Sequence, residues 1–228
     1  MSQTISEFIF FKLKLSVRPE DPSNEDGQKL LTIFRNTQHE SGHQSSAWGR
    51  AVEDEHTMVW AINWTDARGS ASTEVLTPYL EPDSQPPTAI YATLSPSLCS
   101  AEALTDGPVT ELCALPFASS LSVPEKKQLN ADFINFRKAL VEQLPEGSGP
   151  RSWSMGHVDR PSVVQHAKSP SGQAVLHFLV IGWESVDAHK KATETELFVS
   201  TISPIREKLL GPIPGLEMKH VSFHKIKK

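Results

Sequence analysis

The order of strand-like and helix-like segments repeats once along the 228 residues of this chain. Each half runs through strand, helix, two strands joined as a hairpin, helix and strand. Two short matches lie at equivalent points of this order, residues 48–50 with 155–157 and residues 60–66 with 179–185. Identity between the halves is low, so the shared order carries the inference. It predicts two β-α-β-β-α-β units of the ferredoxin-like type.

Capping and turn residues place the boundaries of the predicted elements. Ser23 or Asn24 can cap the first helix, and Ser122 can cap the third, with Pro124 just inside it. The predicted strands lie at residues 5–15, 44–52, 56–64, 88–94, 109–117, 151–158, 174–183 and 216–223, and the helices at 24–38, 67–80, 122–144 and 186–209. Residues 95–108 read as a linker. We therefore expect an N-terminal repeat over residues 1–97 and a C-terminal repeat over residues 98–228.

Composition narrows the class of protein. Apolar residues make up 38% of the chain and charged residues 21%, so a buried core is expected. The net charge of −5 and the lack of a basic stripe disfavour a nucleic-acid partner. No apolar run approaches membrane-span length and no secretory signal is recognisable, so we expect a cytoplasmic protein without membrane partners. The cysteines, Cys99 and Cys113, have no metal-binding spacing, and Cys113 is expected to be a buried thiol.

The strand predicted at 174–183 is largely apolar on both faces. Alternation places one set of side chains on one face, His177, Leu179, Ile181 and Trp183, and another set on the opposite face, Leu176, Phe178 and Val180. Both faces must therefore be covered. Two units that meet sheet to sheet, each with helices on its outer side, satisfy this requirement.

The two repeats differ in the polarity of the corresponding face. In the first repeat the equivalent positions are all apolar: Met58, Trp60, Ile62 and Trp64, with Ile9, Phe11 and Leu13 on the opening strand. In the second repeat the same region contains His177, with Glu111 and His220 on neighbouring strands. We therefore expect the first repeat to be mainly structural and any polar chemistry to lie in the second.

Three residues are the candidate catalytic groups. His177 is either a hydrogen-bonded core histidine or a general acid/base, a role that suits an imidazole because its ordinary pKa lies near neutral pH. Glu111 would orient it if their strands are adjacent, or else be a solvated charge on an edge strand. His220 could lie in the pocket or at the surface. His189, on a helix beside two lysines, could lie at the surface or at the pocket rim.

The tryptophans either pack the core or form the walls of a site for a flat, apolar ligand. The residues expected to bind such a substrate are Trp153, Trp183, Leu179, Ile181, Cys113 and Met218. The sequence has no phosphate-binding loop, no nucleophile elbow and no set of ligands at metal spacing. We therefore expect neither a metal nor an organic cofactor.

Residues 180–189, Val-Ile-Gly-Trp-Glu-Ser-Val-Asp-Ala-His, resemble the strand-to-helix corner of the dimeric α/β-barrel superfamily, and residues 215–221 resemble its closing strand. This superfamily includes antibiotic-biosynthesis monooxygenase-like proteins, stress-responsive barrel proteins and polyketide cyclases. Tandem chains with this corner occur among fungal proteins of specialised metabolism. In one type of polyketide cyclase a catalytic tyrosine and histidine follow the corner. Ala192 and Phe198 stand at those places here, so that mechanism is not carried over.

The resemblance implies an α+β fold in which two ferredoxin-like repeats pack sheet to sheet as a pseudo-dimeric α/β barrel. It also implies three alternatives for function. The first is a cofactor-independent cyclase, isomerase or lyase of specialised metabolism, acting on an apolar polyketide- or terpenoid-like molecule. The second is a cofactor-free monooxygenase, and the third is a non-catalytic small-molecule-binding or stress-response protein, of which haem binding is a variant. The tandem chain could also form a homodimer.

Overall fold

Each half of the chain contains the predicted order of elements, except that a 3-10 helix takes the place of the second helix of the first half. The structure is a computed structural model and describes residues 4–98, 102–105 and 107–226. The first half consists of β1 (Ile5–Lys12), α1 (Glu25–Asn36) with a 3-10 turn (Thr37–His39), β2 (His43–Ala51), β3 (Thr57–Trp64), the 3-10 helix (Glu74–Tyr79) and β4 (Thr88–Ser95). The second half consists of α2 (Glu102–Thr105), β5 (Val109–Ala118), α3 (Val123–Lys138) with a π-helical turn (Ala139–Gln143), β6 (Ser152–Arg160), β7 (Val164–Gln165), β8 (Gln173–Trp183), α4 (Val186–Thr193), α5 (Glu196–Arg206) and β9 (Lys219–Lys225).

Eight of these strands close into one antiparallel barrel. The strand order within the first half is β4-β1-β3-β2 and within the second half β9-β5-β8-β6, which is the ferredoxin-like order in both. The two sheets join at their edges, where β2 pairs with β9 and β4 pairs with β6. The short β7 is not one of the eight barrel strands and pairs with the first two residues of β8. The predicted fold class is therefore confirmed, and the repeats meet by sharing the hydrogen bonds of one closed sheet.

The apolar side chains form an inner core and two outer cores. All eight barrel strands contribute to the inner core, in which the rings of Phe8 and Phe178 lie 4.8 Å apart. The first outer core lies between the sheet of the first repeat and α1, where Phe34 packs on Trp60 with a ring separation of 4.5 Å. The second lies between the sheet of the second repeat and helices α3 and α5. Both faces of β8 are thus covered, as its sequence predicts.

One glycine lies at each junction between the repeats, which we call the seams. Gly49 of β2 lies opposite Phe223, and Gly156 of β6 lies opposite Leu94. A Cβ atom at position 49 would overlap the carbonyl oxygen of Ser222, and one at position 156 would overlap that of Thr93. The glycine that both halves share in sequence is therefore the residue that lets two backbones approach across each seam.

Two predicted helices differ from the structure. The helix predicted over 67–80 is wrong apart from the 3-10 segment, since Pro78 lies inside it and the backbone N–H of Ala71 bonds to the Glu7 carboxylate. The helix predicted over 186–209 is divided into α4 and α5. The division follows from Thr195, whose hydroxyl accepts a hydrogen bond from the N–H of Phe198 and so starts a new helix. Cys99 lies outside the described residues, and none of the described helices is long and apolar enough to cross a membrane.

Candidate active site

A cavity of about 270 Å³ lies outside the barrel, between the sheet of the second repeat and helices α3, α4 and α5. Its volume is close to the lower limit, roughly 300 Å³, of typical ligand pockets. The apolar lining consists of Leu115, Phe136, Leu140, Leu179, Ile181, Trp183, Phe198, Ile202, Ile205, Leu209 and Met218. The polar groups of the lining are supplied by Glu111, Cys113, His189, Thr193 and Arg206. Such a lining is suited to an apolar molecule that is held by a few polar contacts.

Glu111 is the carboxylate of this cavity. It lies on β5 between Ile181 of β8 and His220 of β9, and only 7% of its surface is exposed. The indole N–H of Trp183 donates a 2.9 Å hydrogen bond to its Oε2 atom. Burial raises the pKa of Glu111 to about 7, against the opposing effect of that hydrogen bond. The carboxyl group can therefore both take up and release a proton near neutral pH, which is the property required of a general acid/base.

Glu111 begins a chain of four side chains that continues through two histidines to a second glutamate. The Nε2 atom of His189 lies 3.5 Å from Oε2 of Glu111, and its Nδ1 atom lies 2.8 Å from Nε2 of His220. The Nδ1 atom of His220 lies 2.5 Å from Oε1 of Glu53. The backbone N–H of His220 donates a 3.0 Å bond to the other oxygen of Glu53. We call these four residues the Glu–His chain.

The ends of α4 and β9 position the two histidines. The hydroxyl of Ser185 caps α4 by accepting from the N–H of Ala188, and the next residue, His189, stacks on Trp183 with a ring separation of 4.8 Å. His189 is 7% exposed and His220 is 3% exposed. Burial, together with a smaller effect of the neighbouring His220, lowers the pKa of His189 to about 4. His189 is therefore neutral at pH 7.

Glu53 comes from the first repeat, in the turn between β2 and β3, and reaches His220 across the β2–β9 seam. Burial raises the pKa of this carboxyl, but the hydrogen bonds from the ring and backbone of His220 outweigh it, and the net pKa is lowered. Its side chain is 45% exposed and lines two grooves that open beside the cavity. Polar chemistry is thus not confined to the second repeat, because the outer carboxylate of the chain belongs to the first.

The structure places His177 apart from the cavity. It lies opposite Leu115 on β5, four residues along the strand from Glu111, so the adjacent strands do not bring the two side chains together. The ring stacks on Phe133 at 4.9 Å and lies 4.2 Å from His157. Neither ring nitrogen has a hydrogen-bond partner among the described residues. Burial lowers its pKa to about 3, assisted by His157, so the ring is neutral at pH 7 and is not placed to transfer protons within the cavity.

Replacing His177 with leucine should leave turnover unchanged and make the protein more resistant to acid. The unfolded chain protonates this histidine near pH 6.5, whereas the folded protein does so only near pH 3. Its contribution to stability is therefore present above about pH 6.5 and is lost as the pH falls, by up to about 1.4 kcal/mol per pH unit. Denaturant unfolding between about pH 7 and pH 5 should show a shallower decline for His177→Leu than for wild type. His39→Leu, at an exposed position, is the control and should leave the slope unchanged.

Six of the nine residues predicted to form the site do meet at the cavity: Glu111, Cys113, Leu179, Ile181, Trp183 and Met218. His220 reaches it only through His189 and lines the adjoining groove. Trp153 packs on Phe136 at 5.7 Å in the same outer core but is not part of the cavity wall. Burial and the nearby Glu111 raise the pKa of the Cys113 thiol, so it lines the cavity as an uncharged group. Within the described residues, no group of three potential ligands could hold a metal ion.

A second carboxylate–indole pair occupies the equivalent position of the first repeat. Glu7 lies between Ile62 and Tyr91 in the register that Glu111 has with Ile181 and His220, and Trp64 donates a 2.9 Å bond to it. The alternation from Ile9 onwards predicts an apolar face in the first repeat. This prediction is wrong, because Glu7 lies on the same face. The signal was present in the sequence, since both opening strands place a glutamate two residues after their first residue and both third strands end in tryptophan.

The first-repeat pair is covered by protein. The segment after β3 passes over it, and the backbone N–H of Ala71 donates to the Glu7 carboxylate at 3.0 Å. Gly69 packs directly on the Trp64 ring, as His189 does on Trp183. At the outer side, the guanidinium of Arg160 lies 3.8 Å from the ring centre of Tyr91. Glu7 itself is fully buried, so this pair stabilises the fold and offers no surface to a ligand.

Solved structures share this architecture at low sequence identity. An anthrone oxidase-like protein superposes with a TM-score of 0.62 at 11% identity, over 99% of this chain and 94% of that one. A proposed chlorite dismutase gives 0.58 at 11% identity, with coverage of 99% and 96%. A proposed monooxygenase from Lactobacillus acidophilus gives 0.53 at 7% identity, with coverage of 99% and 95%. The sequence matches no protein-family model and no curated protein sequence.

The chain is therefore a dimeric α/β-barrel protein by fold. Both halves of its barrel lie in one polypeptide, and the cavity described above lies in the second half. At such low identities the likeness establishes the architecture alone. Any chemical role has to follow from the side chains around the cavity.

Proposed function

We propose that the protein is a cofactor-independent enzyme that transfers protons on an apolar, polyketide- or terpenoid-like small molecule. The product would arise by cyclisation, isomerisation or a related lyase step. One observation carries the proposal: Glu111 is buried in an apolar cavity, is held by the Trp183 indole and has its proton affinity matched to neutral pH.

Glu111 would act as the general base and then as the general acid. Its carboxylate removes a proton from a carbon or oxygen atom of the substrate. The protonated carboxyl either returns that proton at another atom or, where the atom to be protonated lies beyond its reach, loses it before the next turnover. Trp183 and His189, stacked against each other, form one wall of the cavity and restrict the movement of Glu111. Exclusion of water by the apolar lining strengthens the interaction of the carboxylate with the developing charge on the substrate.

A second candidate is a cofactor-free monooxygenase that uses the same base. It is favoured by the structural likeness to an anthrone oxidase-like protein and to a proposed monooxygenase. After deprotonation, an activated CH2 group of the substrate would reduce O2. The CH2 becomes a carbonyl that contains one oxygen atom, and the other oxygen leaves as water, so the substrate supplies all the electrons.

Haem chemistry does not fit the residues of the cavity. His189 is the histidine of the described lining, and both of its ring nitrogens already face protein partners, Glu111 and His220. For His189 to bind iron, its contact with Glu111 or its contact with His220 would have to break. We therefore derive no step through a haem group.

Gene deletion followed by product analysis tests the proposal. Extracts of producer cells with and without the gene are compared by mass spectrometry, and the compound that accumulates is incubated with the purified protein under nitrogen and under air. Conversion under nitrogen to a product of equal mass, or of that mass less one water, supports cyclisation or isomerisation. An oxygen-dependent product that gains one oxygen and loses two hydrogens supports the monooxygenase. Binding without conversion contradicts both proposals and indicates a carrier.

A further inference from the structure

We propose that the Glu–His chain is a proton relay, which connects Glu111 in the cavity to Glu53 at the surface across the seam between the repeats. Glu53 and His220 then act on Glu111 through His189, without touching the substrate. They return the protonated carboxyl of Glu111 to its carboxylate form. This inference rests on the proposed acid/base function of Glu111. It goes beyond it by assigning a role to the first repeat.

The hydrogen-bond donors can be ordered from the outer end inwards. The Glu53 carboxylate is ionised and can only accept, so Nδ1 of His220 must carry the proton of their 2.5 Å contact. In the relay His220 is neutral, so its Nε2 atom is unprotonated and faces Nδ1 of His189. The 2.8 Å contact between the rings therefore requires that Nδ1 of His189 be the donor.

The same ordering determines what His189 offers to the cavity. With its proton on Nδ1, the neutral ring presents an unprotonated Nε2 atom to Glu111 at 3.5 Å. That nitrogen can accept a proton from the protonated carboxyl of Glu111, the group that it faces. A distance of 3.5 Å exceeds that of a strong hydrogen bond, so a small rotation of the Glu111 side chain makes or breaks the connection.

The transfer balances in three steps. Glu111 gives its proton to Nε2 of His189, which releases its Nδ1 proton to Nε2 of His220. His220 in turn releases its Nδ1 proton to Glu53. One proton has then moved from the cavity to Glu53, the carboxylate of Glu111 is restored, and both rings are neutral with their protons on Nε2. Glu53 releases its proton to solvent, and both rings return to the Nδ1 tautomer before the next transfer.

The surroundings of the outer end suit proton exchange with solvent. The side chain of Glu53 is 45% exposed, whereas both histidines are buried. Charged groups of several elements face this end. Lys190 of α4 lies in one groove, and the other groove contains Lys12 of β1, Asp54 of the β2–β3 turn, Glu217 just before β9 and Lys219 at its start. The Glu–His chain therefore gives Glu111 a path to solvent by which it can lose a proton while a substrate fills the cavity.

Glu53→Ala tests the relay by chemical rescue. In assays of the accumulating compound, the variant should lose roughly tenfold in kcat, about 1.4 kcal/mol, because protons leave Glu111 more slowly. Acetate or formate should restore the rate in proportion to its concentration, because a small carboxylate can occupy the groove that Glu53 lines. A purely structural role for Glu53 would give no such rescue. Glu55→Ala, at an exposed glutamate two residues away, is the matched control and should keep the wild-type rate.

Nuclear magnetic resonance of protein with ¹⁵N-labelled histidine gives a readout that needs no substrate. We expect His189 and His220 to be neutral at pH 7 with their protons on Nδ1, and Glu53→Ala to change the tautomer signals of His220. A cationic His220 in the wild type would overturn the relay, as would an undiminished kcat in Glu53→Ala. If Glu111→Gln also retained its rate, the proposed function would fail as well, so the two failures are distinguishable.

Discussion

Glu111→Gln should lower turnover of the accumulating compound by about 10²- to 10⁴-fold, which corresponds to roughly 3–5 kcal/mol of lost transition-state stabilisation. The amide has nearly the same shape, and its carbonyl oxygen can still accept the hydrogen bond from Trp183, so the fold should be retained. What it cannot do is take up a proton. In the wild type, kcat/KM should rise as the pH increases towards about 7 and then level off, because the deprotonated carboxyl is the base. Steady-state kinetics across this range measure both effects.

Glu7→Gln is the matched control for that variant. It makes the same change at the equivalent position of the first repeat, where Trp64 donates a hydrogen bond of the same length. Because the Glu7 pair is covered by the segment that contains Ala71, turnover by the folded protein should be unaffected. A fall in turnover with Glu7→Gln, or wild-type turnover with Glu111→Gln, would contradict the assignment of the open site to the second repeat.

Gly156→Ala should destabilise the protein by roughly 2–3 kcal/mol, because the added methyl group overlaps the carbonyl oxygen of Thr93 across the β4–β6 seam. Backbone atoms cannot move aside as the end of a flexible side chain can, so the strands must separate locally. For a chain of this length the change corresponds to a fall in Tm of about 5–10 °C. Gly49→Ala should behave in the same way at the other seam, where the overlap is with Ser222. Thermal unfolding followed by circular dichroism measures both.

Gly211→Ala is the comparison for the seam variants. Its backbone φ is ordinary, and the nearest atom to a new Cβ would be the end of the flexible Lys168 side chain, at 3.4 Å. We expect a change in Tm of no more than about 2 °C, which is within the range for surface substitutions. An equal loss at positions 211 and 156 would show that the seams are not uniquely sensitive to a methyl group.

The architecture could be predicted from sequence because it depends on local patterns. Alternation on β8, the caps Asn24 and Ser122 and the repeated order of elements are all short-range signals, and the structure confirms them. The helix prediction for residues 67–80 is wrong because a long-range contact determines the path of this segment. Its path is fixed by the carboxylate of Glu7, 64 residues earlier in the chain, which periodicity within the segment does not report.

The site could be predicted only in part, for the same reason. Residues that share a strand with a recognised apolar pattern, such as Ile181 and Trp183, could be placed on the cavity side by counting. Glu53 could not, because it lies 167 residues from His220 in sequence and meets it only where the barrel closes. His177 satisfied the pattern of a polar group on an apolar face. The pairing register, however, places it opposite Leu115 and away from Glu111.

The two carboxylate–indole pairs have a consequence for how such a protein can evolve. A barrel assembled from two copies of one chain must carry every substitution twice, so a change that improves one site alters the other identically. In this protein one chain contains both halves as different stretches of sequence, so each half can change by itself. The halves differ at the equivalent place. His220 stands where the first half has Tyr91, and His189 covers one indole where Gly69 covers the other. Selection can therefore act on one site for its chemistry while the other is maintained for the integrity of the barrel.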